Sequence, residues 1–263
     1  MAHLLIKFGG GLITDKGKLM SVDYNAIDKL SAMTRQLLDE GHIVTIVHGA
    51  GSFGHLKAKE WKLALGADEA ILSKQNHAVS EVRADMILLN SIICDSLNKH
   101  GVETNSHPPS TWASETGPEF IGNIDRFTNS SSQIVNVTFG DVVDCRAPKH
   151  FGILSGDDLM VRIGKEISDI SHAIFLLGDT EGVLSAPPDN PDAALIDIWH
   201  RGDQVMGRHD SEMDVTGGIF LKVRSAELIA EVVEDVWLID GRKPKRVLQL
   251  VESKATIGTR VTI

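Results

Sequence analysis

The sequence has little cysteine, no long apolar run and no surplus of positive charge. Its two cysteines, Cys94 and Cys145, stand far apart and without C-x-x-C spacing. That argues against a disulfide scaffold or a structural zinc site and favours a reducing cytoplasm. The apolar start Leu4-Leu5-Ile6 stops at Lys7, too short for a signal-peptide core. Nowhere does an apolar run approach the roughly 18 residues of a membrane span. Lysine and arginine number 26 against 36 acidic residues, a formal charge of −10 with histidine neutral. This balance speaks against a nucleic-acid or anionic-membrane surface. A phosphate ligand stays open, because a few lysines and backbone N–H groups can bind phosphate inside an acidic protein. Several catalytic signatures are also missing. The chain has no Walker A sequence, no H-R-D or D-F-G element and no H-E-x-x-H spacing. A nucleophile elbow, G-x-S-x-G, fails because Ala50 stands where its first glycine belongs.

What is present suits one large α/β domain. The 263 residues are 42% hydrophobic and 24% charged, enough for a core and too apolar for a disordered chain. His3 to Phe8 reads as a buried strand ending in Gly9-Gly10-Gly11. Asp23 to Glu40 carries Ile27, Leu30, Met33 and Leu37 at helical spacing, and Gly41 ends it. Ile43 to Val47 reads as a second strand before more glycines. Lys74 to His100 reads as a long helix whose stripe Val82, Met86, Leu89 belongs to the core. Strand, helix, strand, helix implies a parallel sheet with covering helices. Residues 105–133 read as a mobile hairpin or lid, and Ile134 to Phe139 as a strand. Ser155-Gly156-Asp157-Asp158 opens a helix reaching about Ile167, and Ala173 to Leu177 is a short strand. A last helix spans about Ile219 to Glu234, and Val236 to Ile239 and Val247 to Leu250 read as strands closing the sheet. His107, His150, His172, His200 and His209 read as loop residues.

Glycine-rich turns at the carboxyl ends of parallel strands are where ligands bind. Gly49-Ala50-Gly51-Ser52-Phe53-Gly54 fits G-x-G-x-x-G after a strand, and Asp68 and Glu69 lie near the distance of a ribose-binding acid. A dinucleotide-binding or ligand-sensing protein is therefore one reading. The first turn supports another. Lys7 ends a strand beside Gly9, Gly10 and Gly11, Lys16 follows Thr14-Asp15, and Lys222 follows Gly217-Gly218. Three lysines beside glycine turns suit polyphosphate chemistry, and the dinucleotide reading has no use for Lys16 and Lys222.

Five segments occur in order: Lys7-x-Gly9-Gly10-x-x-Ile13-Thr14-Asp15-Lys16, His48 to His55, Gly140-Asp141-Val142-Val143, Ser155 to Asp158, and Asp214-Val215-Thr216-Gly217-Gly218-x-x-x-Lys222. Together they resemble isopentenyl phosphate kinases, a branch of the amino acid kinase superfamily. The nearest alternative is a same-fold kinase of another small phosphate or phosphonate, like the fosfomycin kinases. The resemblance implies an open three-layer α/β/α sandwich with a mainly parallel central sheet. It implies one domain, with an acceptor-binding lobe of about 1–155 and a nucleotide-binding lobe of about 156–263. It also implies a cytoplasmic homodimer that uses ATP and Mg²⁺ to phosphorylate isopentenyl phosphate to isopentenyl diphosphate in isoprenoid biosynthesis. Carried over by position, Lys7, Phe8, Gly9, Gly10 and Gly11 resemble the segment that wraps the ATP phosphates. Gly51, Asp179, Gly218 and Lys222 resemble further ATP contacts, and Ala50, His55 and Gly156 the acceptor site. Lys16 resembles the transition-state stabiliser, and Asp157 the carboxylate that holds the lysines, beside its ordinary role as a helix cap. The chain departs from the family pattern at Gly11, where serine is usual, and at Gly178, Glu181 and Leu184 in the T-D-V-D-G-V-Y run.

Overall fold

A computed structural model describes residues 1–15, 17–128, 133–205 and 218–263. Lys16, most of the polar run 128–132, His209 and the Asp214-to-Gly217 part of the last motif lie outside the described residues.

The chain opens with β1 (His3–Phe8), a one-turn helix α1 (Gly10–Ile13), α2 (Tyr24–Asp39), β2 (Ile43–His48), α3 (Gly51–Glu60) and α4 (Leu72–Lys99). There follow β3 (Glu103–Ser106), β4 (Ala113–Ser114), β5 (Ile121–Gly122), β6 (Ile134–Phe139), β7 (Asp141–Asp144) and β8 (Phe151–Leu154). The last part comprises α5 (Gly156–Glu166), β9 (Ile170–Leu177), β10 (Ile198–His200), α6 (Ile219–Ile229), β11 (Asp235–Asp240), α7 (Lys245–Ser253) and β12 (Thr259–Thr262).

Eight strands form the main sheet in the order β10-β12-β11-β9-β1-β2-β6-β3, all pairs parallel except β11 with β12. Its central strands are mostly apolar and buried along nearly their whole length because both faces are covered. One face packs on α2, α3, α4 and α7 through Leu30, Leu37, Met86, Leu89 and Val247. The other packs on α5 and α6 through Leu159, Ile163, Val223 and Ala226. This is the open α/β/α sandwich the sequence implied. Among the described residues no helix is long and apolar enough to cross a membrane.

The segment read as a lid is instead built into the fold. β3 joins the main sheet, and β4 and β5 pair within a second sheet of order β5-β4-β7-β8. Arg162 of α5 donates to the carbonyls of Phe120 and Gly122 and lies over the Phe120 ring. Val247 to Leu250 is helical, not a strand. Val247 and Leu250 are three residues apart and fully buried on one side of α7, and β12 and β10 close the sheet in its place. His172 and His200, expected in loops, lie within β9 and β10.

The order of strands fixes the crevice. From β1 the chain proceeds to β2 on one side, while β9 takes the other. A parallel sheet binds ligands at the carboxyl ends of the strands where the order reverses. The turns after β1, β2 and β9 meet there.

Candidate active site

The two glycine turns are packed back to back. A Cβ on Gly49 would lie 2.7 Å from the Gly10 nitrogen, and one on Gly10 would lie 2.8 Å from the Gly51 Cα. Gly51 also has a φ of +49°, in the region that favours glycine. Thr14 ties the turns together. Its hydroxyl donates to the Gly10 carbonyl at 2.7 Å and accepts from the Ser52 N–H at 2.9 Å. Phe8 contributes main chain only: its side chain is in the core, and its carbonyl accepts from the Gly49 N–H.

This packing removes the dinucleotide reading. Gly49 is needed by Gly10, and a Cβ on Gly54 would lie 2.8 Å from that of Ala50 and 3.4 Å from the Met86 sulfur, so Gly54 admits α4 against α3. After α3 the chain enters α4 rather than a neighbouring parallel strand. Asp68 is an exposed turn residue whose carboxylate accepts from the Ala70 N–H.

Lys7 reaches the crevice from the end of β1. It is 5% exposed, and its ammonium lies 2.5 Å from an Asp157 carboxylate oxygen and 5.9 Å from the centre of the Phe175 ring. Asp157 stands in the first turn of α5. The capping of that helix belongs to its neighbours. Ser155 accepts from the Asp158 N–H, and Asp158 accepts from the Ser155 N–H and hydroxyl. Asp157 is thereby released from the capping role and pairs with Lys7. Burial works to raise its carboxyl pKa, but the charges of Lys7, then Lys222, then His55 hold it below the usual carboxylate range. One carboxylate thus gathers cations from β1, α6 and α3. Gly156 keeps this arrangement compact, since a Cβ there would lie 3.3 Å from the Lys7 stem and 3.4 Å from the His48 carbonyl. The N–H groups of Gly156 and Asp157 belong to the first turn of α5, which cannot satisfy its own donors and favours anions.

His55 is exposed on α3, Ala50 is its N-cap, and Gly218 is the N-cap of α6, one turn before Lys222. Asp179 is exposed after β9 and lines an open depression of about 540 Å³ with Gly11, Thr14, Asp15 and Ser21. A smaller one of about 150 Å³ adjoins it, bordered by Gly11, Gly178, Lys29 and Arg242. The departures from the family pattern are accommodated here. A Cβ on Gly178 would lie 2.5 Å from the Gly11 carbonyl oxygen, so α1 and the turn after β9 approach each other closely. Glu181 accepts from Lys243 at 2.9 Å and Arg246 at 2.7 Å, which bring its pKa down to about 2.

The structure therefore brings Lys7, Asp157, Gly156, His55 and Lys222 together and places Gly11 and Asp179 on the adjoining depression, with Gly9, Gly10 and Gly51 in the packed turns beside it. Thr14 and Ser52 were quoted in the motifs without a role. Their signal was weak, because each acts on a residue far away in sequence.

Comparison with known proteins agrees with this geometry. The model of the amino acid kinase family matches residues 3–239. Isopentenyl phosphate kinase of Thermoplasma acidophilum is 32% identical over 261 residues, covering 97% of this chain and 98% of that protein. The enzyme of Methanothermobacter thermautotrophicus is 27% identical, with 98% of each chain covered. A solved product complex of the T. acidophilum isopentenyl phosphate kinase superposes with a TM-score of 0.78 at 28% identity, covering 99% of this chain and 100% of that one. The chain belongs to the amino acid kinase family, in its isopentenyl phosphate kinase branch.

Proposed function

We propose that this chain transfers the terminal phosphoryl group of ATP to isopentenyl phosphate, giving isopentenyl diphosphate and ADP. The observation that carries this reading is the set of cations around Asp157, at the meeting point of two glycine turns. Counting Lys7, Lys222 and Asp157 gives a net charge of +1 before His55 is protonated. Such a site suits two polyanions that must approach each other.

An acceptor phosphate oxygen attacks the γ-phosphorus of ATP, and the bond from that phosphorus to the β–γ bridging oxygen breaks. The acceptor is a phosphate monoester with a charge of about −1.5 to −2 at neutral pH, so it needs no general base. Positioning and charge neutralisation do the catalysis. Lys7, Lys222 and Lys16 supply positive charge around the moving group, Lys16 chiefly in the transition state. Asp157 fixes the direction of the lysines. Gly9, Gly10, Gly11, Gly51 and Gly218 bring main chain close to the donor phosphates. His55, Ala50 and Gly156 hold the acceptor phosphate, with His55 as imidazolium beside an anion. Asp179, at the edge of the larger depression, would help hold ATP with its Mg²⁺, which would add charge neutralisation at the donor phosphates.

Residues 1–155 form the acceptor lobe of the single domain and 156–263 the nucleotide lobe. Exposed Ile87 and Leu88 on α4 offer an apolar contact for a second copy, and we place the homodimer in the cytoplasm.

The test is ADP release measured against a panel of isopentenyl phosphate, dimethylallyl phosphate and fosfomycin. The reading expects isopentenyl phosphate to give the highest kcat/KM. A preference for fosfomycin, or ADP release independent of any acceptor, would overturn it.

A further inference from the structure

Ser52 is more than a small residue in a glycine turn. It is 2% exposed, and its three polar groups bond to Thr14, Met20 and Ser21. Its N–H donates to the Thr14 hydroxyl at 2.9 Å. Its carbonyl accepts from the Met20 N–H at 3.3 Å. Its hydroxyl oxygen accepts from the Ser21 N–H at 3.1 Å, and the hydroxyl lies 3.4 Å from the Ser21 carbonyl as donor. The ends of this stretch are drawn together: Thr14 pairs with Val22, and the Asp15 N–H donates to the Ser21 carbonyl at 3.0 Å. Asp15 and Gly17, the sequence neighbours of Lys16, both belong to it, and the Gly17 N–H donates to the Asp15 carboxylate. Three residues after Ser52, on the same helix, comes His55.

We infer that Ser52, with Thr14, is a positioning residue that joins the acceptor turn to the residues flanking Lys16 in the chain, Thr14-Asp15 on one side and Met20-Ser21 on the other. The role rests on the reading of Lys16 given above. A purely structural serine would stabilise the turn and affect both substrates or neither. A positioning serine acts on the step that Lys16 serves. Loss of the hydroxyl frees the Ser21 end of this stretch while Lys7, Asp157 and the turn after β1 keep their contacts. A displacement of about 1 Å in a catalytic group can cost roughly 100-fold in rate, so a fall in kcat of about 10- to 100-fold is expected.

The experiment is a kinetic cycle on the full-length enzyme with ATP and isopentenyl phosphate, using Ser52→Ala, Lys16→Ala and the double variant. Ser52→Ala should lower kcat by that amount with KM for ATP within about twofold of wild type. In the Lys16→Ala background the same change should cost less than about twofold, because the group it positions is gone. Thr14→Val and Thr14→Ser form a second pair, used also if Ser52→Ala does not fold. Valine keeps the shape and loses the hydroxyl, so kcat should fall; serine restores the hydroxyl and most of kcat. Equal losses from Ser52→Ala in both backgrounds, or equal kcat for the two Thr14 variants, would overturn the coupling while leaving Lys16 in place. An unchanged kcat in Lys16→Ala alone would overturn the reading of Lys16, and the positioning role with it.

Discussion

Replacing Asp157 with asparagine separates charge from shape at the centre of the site. The amide occupies the same volume, and the capping box of Ser155 and Asp158 is untouched. What disappears is the negative charge 2.5 Å from a lysine that is 5% exposed. Breaking a buried ion pair by removing one partner costs about 3–5 kcal/mol. Asp157 keeps 19% of its side-chain surface exposed, which screens the pair and brings this to about 2–3 kcal/mol. For a chain of this size the melting temperature of the free enzyme should fall by about 5–10 °C. The sign reverses for ligand binding. The cluster of Lys7, Lys222 and residue 157 goes from +1 to +2, so ATP is held as tightly as before or more tightly. Since a ligand that binds the folded state stabilises it, ATP should raise the melting temperature of Asp157→Asn by more than that of wild type. Turnover should nevertheless fall by roughly 30- to 1,000-fold, equivalent to about 2–4 kcal/mol, because the lysines lose the group that directs them. Differential scanning fluorimetry with and without ATP, beside initial rates, reads all three quantities. Full turnover in Asp157→Asn, or a melting temperature unmoved in the free protein, would refute the reasoning.

Three further outcomes follow from the same geometry. His55→Ala should raise KM for isopentenyl phosphate about 10- to 150-fold and KM for ATP far less, since a charge-assisted hydrogen bond is lost, and His55→Gln should keep part of the affinity; equal losses for both substrates in saturation curves would move His55 away from the acceptor. Lys222→Ala should weaken ATP binding and turnover together, measured by calorimetric titration beside rates, and a change in kcat alone would contradict contact with the bound nucleotide. His48 is wholly buried between Asn90 and the Phe139 ring, and burial lowers its pKa to about 4. Its folded pKa lies below the unfolded one of about 6.5, so the unfolded chain binds more protons between these values. The corresponding stability is complete above about pH 6.5 and is lost as pH falls towards 4, by about 3 kcal/mol. Urea titrations from pH 7.5 to 4 should show that slope in wild type and a shallower one in His48→Gln.

The sheet centre was legible because its strands are short apolar runs ended by glycine: His3 to Phe8 and Ile134 to Phe139 have the bounds read from the sequence. The edges were not. β3 is Glu-Thr-Asn-Ser, a polar strand that shows no alternation, and β10 and β12 are three and four residues long. Val247-Leu248-Gln249-Leu250 misled through its β-branched, apolar content, whereas the burial of Arg246, Val247 and Leu250 follows a helix. Lys7, Lys222 and His55 stand in separate motifs that the structure draws together at Asp157, while Lys16 lies outside the described residues. The resemblance pointed to Asp157 as the carboxylate that holds the lysines, but the capping pattern alone did not separate it from Ser155 and Asp158, and the geometry gives the cap to those two. Thr14 and Ser52 escaped for the same reason. Their partners lie 38 and 31 residues away, and no local pattern announces a contact at that range.

The central claim is that a phosphate monoester, not a hydroxyl or a carboxylate, receives the phosphoryl group in this crevice. Phosphorus NMR of the enzyme with ATP, Mg²⁺ and isopentenyl phosphate tests it directly. The account predicts loss of the acceptor monoester singlet and growth of a pair of coupled diphosphate doublets, one mole for each mole of ADP, with the signal lost in Asp157→Asn on the same timescale. ADP formed while the monoester singlet persists would contradict it.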